Sequence, residues 1–327
     1  MSRNFLNSLI AGFVALAALA PLASQAAEAW PTRAVRLVSV FPPGGSVDQV
    51  ARILAQQLSE QTGQQFVVEN KGGAAGAIGT MAVAKSDPDG YTLGVVFDTH
   101  GVNPSLIPNL GYDTFKDLQS LVLLGTSAMA IVVNPKQPYK NFAELIAAAR
   151  AKPGSISFGS IGTGSLGHLA MAQIGDQLGL DWTHVPYRGG GPLMTDIVAG
   201  HVPVAIGSVF LVTPHVKAGS VRPIGVTSAK QDPNFPGTEP VALQGVPGFE
   251  AQSWWGVIGP AKMPEPLVAT IVAEFQKALK APGVVQKLGA QGIVISGAGP
   301  KAFETFERSE IERWAKVVKA NNIKAGD

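Results

Sequence analysis

Short β-branched runs alternate with amphipathic stretches from Val35 onward, and this alternation limits the folds that the chain can adopt. Residues 35–40 form a run typical of a strand. Residues 47–61 place Val50, Leu54 and Leu58 on one face of a helix. Repeated alternation of this kind predicts an α/β fold with mostly parallel strands and helices packed on the sheet.

The alternation runs through the chain twice, with a break between the two series. The first series leads into the apolar stretch 121–133, and the second begins near residue 155. Further strands are predicted at 66–69, 92–96, 155–158, 182–186, 203–207, 224–227 and 254–258. Further helices are predicted at 77–85, 142–151 with Asn141 as the cap, 166–178, 193–199, 266–281 and 300–321. Two wound sheets account for this pattern more simply than one.

The boundaries of the two series predict the domain organisation. A chain that enters a second sheet near Thr126 and returns near Gln252 crosses between the sheets twice. We therefore predict a signal peptide at 1–26, a discontinuous first domain formed by 27–126 and 253–327, and a second domain at 127–252. Two crossing strands would act as a hinge about a cleft at the carboxyl ends of the strands, where open α/β sheets bind ligands.

The N-terminal residues have the pattern of a secretory signal. Arg3 precedes an apolar run at 9–22, which is shorter than a membrane span and ends in small residues. Cleavage after Ala26 or Ala29 fits the pattern. An N-terminal anchor helix is the disfavoured alternative, because Pro21 and Ser24 interrupt the run. We expect an exported, periplasmic protein.

Composition argues against several classes of function. The sequence has no cysteine, so disulfides and thiolate chemistry are excluded. Its five histidines are scattered and form no HExxH motif, so we expect neither a metal nor a cofactor. A net charge of +2, without a run of Lys or Arg, argues against nucleic acid as a partner.

Four loops share one composition: each follows a predicted strand, is rich in Gly, Ser or Thr, and precedes a predicted helix. They are residues 41–46, 71–76, 159–165 and 187–192, named loops 1 to 4 below. The first N–H groups of a helix are unpaired and carry the positive end of the helix dipole, so such a loop can hold a carboxylate without a cationic side chain. One such loop is usually an ordinary turn. Two in each half of the chain predict an anion site between the halves.

Polar side chains in these loops have two interpretations. Ser46, Ser160 and Ser165 could bond a ligand oxygen or cap their own helices. Asp48 could recognise a ligand amine or hydroxyl, although its place in a first helical turn is also explained by the dipole.

The same ambiguity holds for residues beside the loops. Thr99 either faces the cleft or belongs to a turn, and His168 is either a ligand contact or a packed histidine. Phe41 and Tyr187 could form walls of the cleft. Arg188 is an obvious carboxylate partner by charge, but its flanking glycines favour binding through the backbone.

One motif suggests a different function. Residues 162–167 match GxGxxG between a predicted strand and helix, and Asp181 lies near the spacing of a ribose-binding acid. That acid should end the second strand, whereas Asp181 precedes it, so a dinucleotide site is disfavoured. No Walker motif and no GxSxG occurs.

Several motifs, in order along the mature chain, resemble the Bug family of extracytoplasmic solute receptors, the binding components of tripartite tricarboxylate transporters. They are Trp30-Pro31, residues 41–46 with Asp48, 69–76, 88–93 and 185–192. The resemblance implies a periplasmic-binding-protein-like Venus-flytrap fold of two α/β domains. It also implies a ligand carboxylate held by loop amides and bridging waters.

Carried over by motif, the resemblance implies a set of ligand contacts. They are Phe41, Gly45, Ser46, Asp48, Gly73, Ala74, Thr99, Ser160, Gly164, Ser165, His168, Tyr187, Gly191 and Ser208. Arg188 departs from the pattern, since lysine is common there, but recognition through the backbone should survive this change.

The predicted function is capture of a small carboxylate for delivery to a membrane permease of a tripartite tricarboxylate-type transporter, without catalysis and by a monomer. The ligand could be a di- or tricarboxylate, an acidic amino acid or an aromatic carboxylate. A periplasmic sensory receptor for a carboxylate is the alternative, because it would use the same binding event. A periplasmic hydrolase or lyase is less favoured, since no recognisable set of nucleophile, base and orienting group is present.

Overall fold

The computed structural model describes residues 30–324, in which strands and helices alternate largely as predicted. The strands are β1 (Val35–Ser39), β2 (Phe66–Asn70), β3 (Thr92–Phe97), β4 (Leu118–Val133), β5 (Ser157–Ser160), β6 (Thr183–Pro186), β7 (Val204–Ser208), β8 (Arg222–Val226), β9 (Gln252–Pro260) and β10 (Val294–Ala298). The helices are α1 (Ser46–Thr62), α2 (Ala77–Ala84), α3 (Asn103–Leu106), α4 (Phe142–Ala151), α5 (Leu166–Leu178), α6 (Gly190–Ala199), α7 (Val209–Lys217), α8 (Glu265–Lys280), α9 (Pro282–Gly289) and α10 (Pro300–Ala320). The predicted signal peptide and its two cleavage sites lie outside the described residues.

The first sheet contains the strands of the N-terminal series together with two strands that return late in the chain. Strands β2, β1 and β3 are parallel neighbours, and β9 joins β3 in the antiparallel direction. Strand β4 pairs antiparallel with β9 on one side and with β10 on the other. Because β1 and β3 are neighbouring parallel strands, the loops that follow them start at the same edge of the sheet.

The second sheet has the order β8, β4, β7, β5, β6, and it shares β4 with the first sheet. The segment of β4 up to Ala128 pairs with β9, whereas the segment from Met129 to Val133 pairs with β7. Strands β5, β6 and β7 are parallel to one another, and β4 is antiparallel to β7 and β8. The ladders of the two sheets are thus connected through one long strand whose residues are almost all buried.

Local sequence signals account for most element bounds. Asn141 caps α4, with its side-chain oxygen accepting from the Glu144 amide at 2.9 Å, as predicted. Helix α5 has the predicted bounds and is followed by Gly179, whose φ of 63° suits the left-handed C-cap. Glycine is favoured at this position because it has no Cβ to clash there.

The sequence patterns missed some elements. Helix α7 begins with the fully buried run Val209–Val212, which shows no polar face and therefore no helical period. Helix α9 and strand β10 were also not predicted. Helix α6 begins at Gly190, three residues before the predicted start, because its glycines adopt helical geometry that propensity disfavours.

The C-terminal helix α10 packs against β9 at a glycine. The ring of Phe303 is fully buried against Gly256, and it meets Trp254 edge-on with ring centroids 5.7 Å apart. A methyl group at Gly256 would overlap this ring. The absence of a side chain at Gly256 therefore sets how closely the helix approaches the sheet.

We expect Gly256→Ala to lower the free energy of unfolding by about 1–3 kcal/mol, because the added methyl group overpacks the α10–β9 contact. The matched control is Gly283→Ala in α9, where no described atom lies within 4 Å of the added methyl group. Alanine is the better helix former, so the control should melt at or slightly above the wild-type temperature. Thermal unfolding checks this, and equal melting of the two variants would contradict it.

A buried polar cluster lies under α10, next to the end of β3. It includes His100 and Glu307, whose Nε2 and Oε1 atoms are 2.8 Å apart, and Asp98, which is 1% exposed. Burial raises the pKa of Asp98 to about 8; the Glu310 carboxylate adds to the rise, whereas Ser253 and main-chain amides, including that of Leu166, oppose it. Asp98 therefore keeps its proton at neutral pH.

This protonated carboxyl should make stability depend on pH. In the unfolded chain Asp98 ionises near its ordinary pKa of 3.8, whereas in the folded chain it ionises near 8, so raising the pH between these values favours unfolding. We expect Asp98→Asn to melt above the wild type by a margin that widens from about pH 4 to about pH 8. Melting temperatures measured across this range, with the exposed Asp87→Asn as control, test it. A margin that does not change with pH would rule it out.

Candidate functional site

Loops 1 and 4, which follow strands of different sheets, meet face to face through glycines. A methyl group on Gly45 would lie 3.6 Å from the Gly190 amide nitrogen, and one on Gly191 would lie 3.1 Å from the Pro43 carbonyl oxygen. A methyl group at Gly191 would therefore press on loop 1, whereas one at Gly45 would be in ordinary van der Waals contact with loop 4. The glycines thus bring the starts of helices α1 and α6 together.

A small inner cavity lies at this meeting point. Its volume is about 10 Å³, and it is lined by Phe41, Gly45, Ser46, Val47, Phe97, Met129, Ile161, Gly190, Gly207, Ser208 and Leu211. Three helices begin at its wall: α1 at Ser46, α6 at Gly190 and α7 at Val209. No side chain caps α1 or α6, so their first amides have no side-chain acceptor. The helix dipoles therefore contribute a positive potential at the cavity, and none of its lining residues is cationic.

Two serines of the inner cavity differ in what their hydroxyl groups do. The Ser208 hydroxyl caps α7 by accepting from the Leu211 amide at 3.2 Å. Ser46 is 6% exposed, and no described residue forms a hydrogen bond with its hydroxyl. Both hydroxyl groups can therefore donate to an anion, and that of Ser46 has no other partner among the described residues.

An outer cleft of about 920 Å³ contains residues from all four loops and from the end of α3. Its lining residues are Phe41, Pro42, Pro43, Asn70, Gly72, Gly73, Ala74, Ala75, Leu106, Ile107, Ile161, Gly162, Thr163, Pro186, Tyr187 and Arg188. Phe41 and Ile161 line both the inner cavity and the cleft. The two cavities therefore adjoin at these two residues.

Aromatic packing fixes the floor of the inner cavity. The Phe41 ring meets Phe97 edge-on with centroids 6.1 Å apart, and Phe97 packs on Trp255 at 5.0 Å. All three side chains are at most 5% exposed. Loop 1 thus starts from a fixed point on β1, β3 and β9.

Asp48 anchors loop 1 from within α1. Its carboxylate accepts from the Gly44 amide at 3.0 Å and from Asn70 Nδ2 at 2.9 Å, and it pairs with Arg52 at 2.9 Å. Burial alone would raise the pKa of Asp48, but these donors outweigh burial and hold it below its ordinary value. The carboxylate holds loop 1 against the end of β2, and it does not line either cavity.

Loop 2 has a strained backbone. Ala74 and Ala75 have φ angles of 47° and 51°, in the left-handed region that side chains rarely adopt, and Gly73 precedes them with a φ of 122°. Such conformations persist where the surroundings determine them, often at binding sites. All three residues line the outer cleft.

The predicted side chains of loop 3 bind mainly to one another. The Ser165 hydroxyl donates to Ser160 Oγ at 3.0 Å and accepts from the His168 amide at 3.3 Å, which caps α5. His168 Nδ1 accepts from the Gly164 amide at 3.1 Å. Gly164 itself lies directly beneath the side chain of Leu106 from α3. The capping interpretation of Ser165 is what the structure shows.

His184 is a part of this network that the sequence interpretation missed. Its ring stacks on His168 with centroids 3.8 Å apart, and its Nε2 lies 2.7 Å from Ser160 Oγ. Burial lowers the pKa of His168 to about 4; burial, with a further contribution from His168, lowers that of His184 to about 3. Both rings are therefore neutral at pH 7. No charge or motif in the sequence pairs these two histidines.

The Ser160–His184 contact has the spacing of a nucleophile and its base, which is relevant to the hydrolase alternative. Ser160 is 0% exposed, however, and its hydroxyl also bonds to the Gly162 carbonyl at 3.0 Å. A substrate in either cavity does not reach it in this arrangement, because Ser160 lines neither. The contact is explained as structural support for loop 3.

Of the remaining predicted residues, Tyr187 lines the outer cleft, whereas Thr99 and Gly191 line neither cavity. Tyr187 lines the cleft with its ring, while its hydroxyl donates to Asp196 Oδ2 at 2.9 Å; burial, helped by Asp196, raises the pKa of Tyr187 to about 12. Thr99 is 1% exposed in a short turn after β3 and lines neither cavity. Gly191 contributes the backbone contact with Pro43 described above.

The structure therefore gathers part of the predicted set along the two cavities: Phe41, Gly45, Ser46, Gly73, Ala74, Tyr187 and Ser208. Asp48, Thr99, Ser160, Gly164, Ser165, His168 and Gly191 support these walls from behind or beside. Sequence interpretation did not select the apolar lining residues Leu106, Ile107, Ile161 and Leu211. Nothing in the local sequence distinguishes an apolar residue that faces a cleft from one that lies in the core.

Within residues 30–324 no helix is long and apolar enough to cross a membrane. The same part of the chain holds no cluster of three or more His, Cys, Asp or Glu side chains suited to a metal ion.

Comparison with known proteins places these features in a family. The profile described as "Tripartite tricarboxylate transporter family receptor", TctC, matches residues 50–323. A UPF0065 protein from the tcbD-tcbE intergenic region of Pseudomonas sp. (strain P51) is 37% identical over 95% of this chain and 93% of its own length. Protein BugT of Bordetella pertussis is 33% identical over 99% of both chains.

Solved structures show the same fold. Rpa4515 of R. palustris, determined with adipate, has a TM-score of 0.86 at 33% identity and covers 90% of this chain and 99% of its own. The periplasmic binding protein BugD has a TM-score of 0.86 at 30% identity, with the same coverage. MatC of Rhodopseudomonas palustris, with bound malate, has a TM-score of 0.83 at 29% identity and covers 88% of this chain and 100% of its own. The predicted periplasmic-binding-protein-like α/β fold is confirmed.

The family match, the similarity along almost the whole chain and the shared fold agree with the resemblance found in the motifs: the chain belongs to the tripartite tricarboxylate transporter receptor family and is a solute-binding protein of the TctC/Bug type.

Proposed function

We propose that this protein captures a small carboxylate at the junction of its two sheets, with one carboxylate oxygen of the ligand in the inner cavity. The observation that carries the proposal is the meeting of three helix N-termini around the unpaired Ser46 hydroxyl. Main-chain amides at helix starts bind anions strongly in a site that excludes water. Relatives of similar fold that were solved with adipate and with malate support a carboxylate as the ligand.

The proposal includes delivery of the ligand to a membrane permease of a tripartite tricarboxylate-type transporter. Family membership supports this partner. It also supports export to the periplasm with removal of the N-terminal signal. The protein would act without catalysis and as a monomer.

Closure of two domains is the mechanism that we propose for capture. The domains would be residues 27–126 with 253–327, and residues 127–252. The shift of β4 pairing between Ala128 and Met129, and the start of β9 at Gln252, lie next to these boundaries. A ligand that contacts both domains binds the closed form better and shifts the population toward it.

We expect Ser46→Ala to weaken carboxylate binding about 10- to 150-fold, because a hydrogen bond to a charged group contributes about 1.5–3 kcal/mol. The measurement has two steps: thermal-shift screening of carboxylates against the wild type, then calorimetric titration of each hit against both proteins. Ser309→Ala, which removes an exposed hydroxyl on α10, is the control. Unchanged affinity in Ser46→Ala would argue against the inner cavity as the carboxylate site, and stabilisation by no carboxylate would argue against the function itself.

Domain closure predicts a change of shape in solution. We expect the radius of gyration from small-angle X-ray scattering to fall when a stabilising carboxylate is added to the ligand-free protein, since the open form is then depopulated. Gly190→Ala should reduce this change, because its methyl group would lie 2.8 Å from the Leu211 side chain and 3.4 Å from Gly45 Cα. A saturating ligand that leaves the scattering unchanged would contradict closure.

A further inference from the structure

A ligand that occupies both cavities has two parts: a head, which lies in the inner cavity, and a body, which lies in the outer cleft. The inner cavity, of about 10 Å³, has space for about one water-sized group next to the helix starts, such as one carboxylate oxygen. The outer cleft, of about 920 Å³, has a volume typical of sites that enclose drug-sized ligands. Whatever is attached to the bound carboxylate must therefore lie in the outer cleft, and its walls decide which bodies fit.

These walls present mainly carbon. Loop 2 contributes methyl groups on one side, and α3 and loop 3 contribute branched aliphatic side chains on the other. The apolar residues that a ligand body would touch are Ala74, Ala75, Leu106, Ile107, Ile161 and the ring of Tyr187. Burial of an apolar body against such walls is favourable, in proportion to the area removed from water.

Polar side chains in the walls already have partners inside the protein. Asn70 donates to the Phe41 carbonyl at 3.0 Å and to Asp48 at 2.9 Å, and its side-chain oxygen accepts from Arg52 at 3.2 Å. These three bonds use both of its N–H groups and its carbonyl oxygen. The Tyr187 hydroxyl donates to Asp196, and Thr163 also has an interaction partner within the protein.

Arg188 is the remaining charged residue of the lining, and it is exposed to solvent. Its guanidinium can attract a second anionic group at the outer end of a ligand, but water weakens that attraction. Hydroxyl groups along the middle of a ligand body gain nothing from it. A hydroxyl placed against the apolar side chains of the wall exchanges water for carbon, because the polar side chains beside them already have partners.

We infer that the cleft selects carboxylates with an apolar body, such as alkyl-spaced dicarboxylates or aromatic acids, and discriminates against hydroxylated ones. This inference rests on the proposed function. Burying a hydroxyl without a partner weakens binding about 5- to 150-fold for each group that is fully enclosed. The selectivity therefore comes from the body of the ligand, whereas the inner cavity accepts any carboxylate head.

Matched pairs of probes test the inference, because they differ only in hydroxyl groups. Adipate and galactarate share a six-carbon chain with two terminal carboxylates, and galactarate adds four hydroxyls. Tricarballylate and citrate differ by one hydroxyl. By calorimetric titration of the intact exported protein, we expect adipate to bind at least 100-fold more tightly than galactarate, and tricarballylate at least fivefold more tightly than citrate. Galactarate or citrate binding as tightly as its partner, or more tightly, would overturn the inference while leaving the proposed function intact.

Ile107→Asn tests whether the wall causes this selectivity. Ile107 is half-buried at the cleft, so an amide in its place would offer hydrogen bonds to a hydroxylated body. We expect the adipate-to-galactarate affinity ratio to fall at least fivefold. The control is Val198→Asn on the exposed side of α6, which should leave the ratio unchanged. A ratio that Ile107→Asn does not alter would contradict the assignment of the wall, whereas failure of every probe to bind the wild type would instead reject carboxylate capture.

Discussion

The close approach of loops 1 and 4 is the contact on which the site depends. Gly45 and Gly190 lie at the starts of α1 and α6, and a methyl group added at Gly190 would lie 2.8 Å from the Leu211 side chain and 3.4 Å from Gly45 Cα. The contact places two uncapped helix N-termini side by side, next to the start of α7. An arrangement of like partial charges this close is favourable only when an anion, or water, lies between them. The same feature that brings the two sheets together thus also defines what the site can hold.

In the proposed site an anion would be bound by main-chain amides and a hydroxyl group, and not by a charged side chain. The histidines nearest the loops, His168 and His184, are neutral at pH 7 because they are buried. The Asp48 carboxylate is already bonded to the Gly44 amide and to Arg52, and it holds loop 1 in place. The inner cavity therefore holds no ionised side chain that a change of pH near neutrality could alter. In the proposed function, the apolar surfaces of α3, loop 2 and loop 3 would select the rest of the ligand.

Much of the fold could be predicted, because the main elements have strong local periodicity. Helix α5 and the Asn141 cap of α4 were predicted residue for residue. The failures share a cause: α7 starts with Val209–Val212, a run that is buried on every side, so its sequence lacks the polar positions that reveal a helix. The sharing of β4 by both sheets was also hidden, since pairing partners are set by residues far away in the chain.

The sequence by itself determined the alternation of strands and helices, the four glycine-bearing loops and the family, because each of these is written in residues close together along the chain. Only the tertiary structure decided which loop residues face the two cavities. Ser46 and Ser165 have the same local pattern, yet Ser165 caps α5 within a buried network whereas the Ser46 hydroxyl faces the inner cavity without a partner. The difference depends on Gly190 and Ser208, which lie more than a hundred residues away from Ser46 and have no local signal that links them to it.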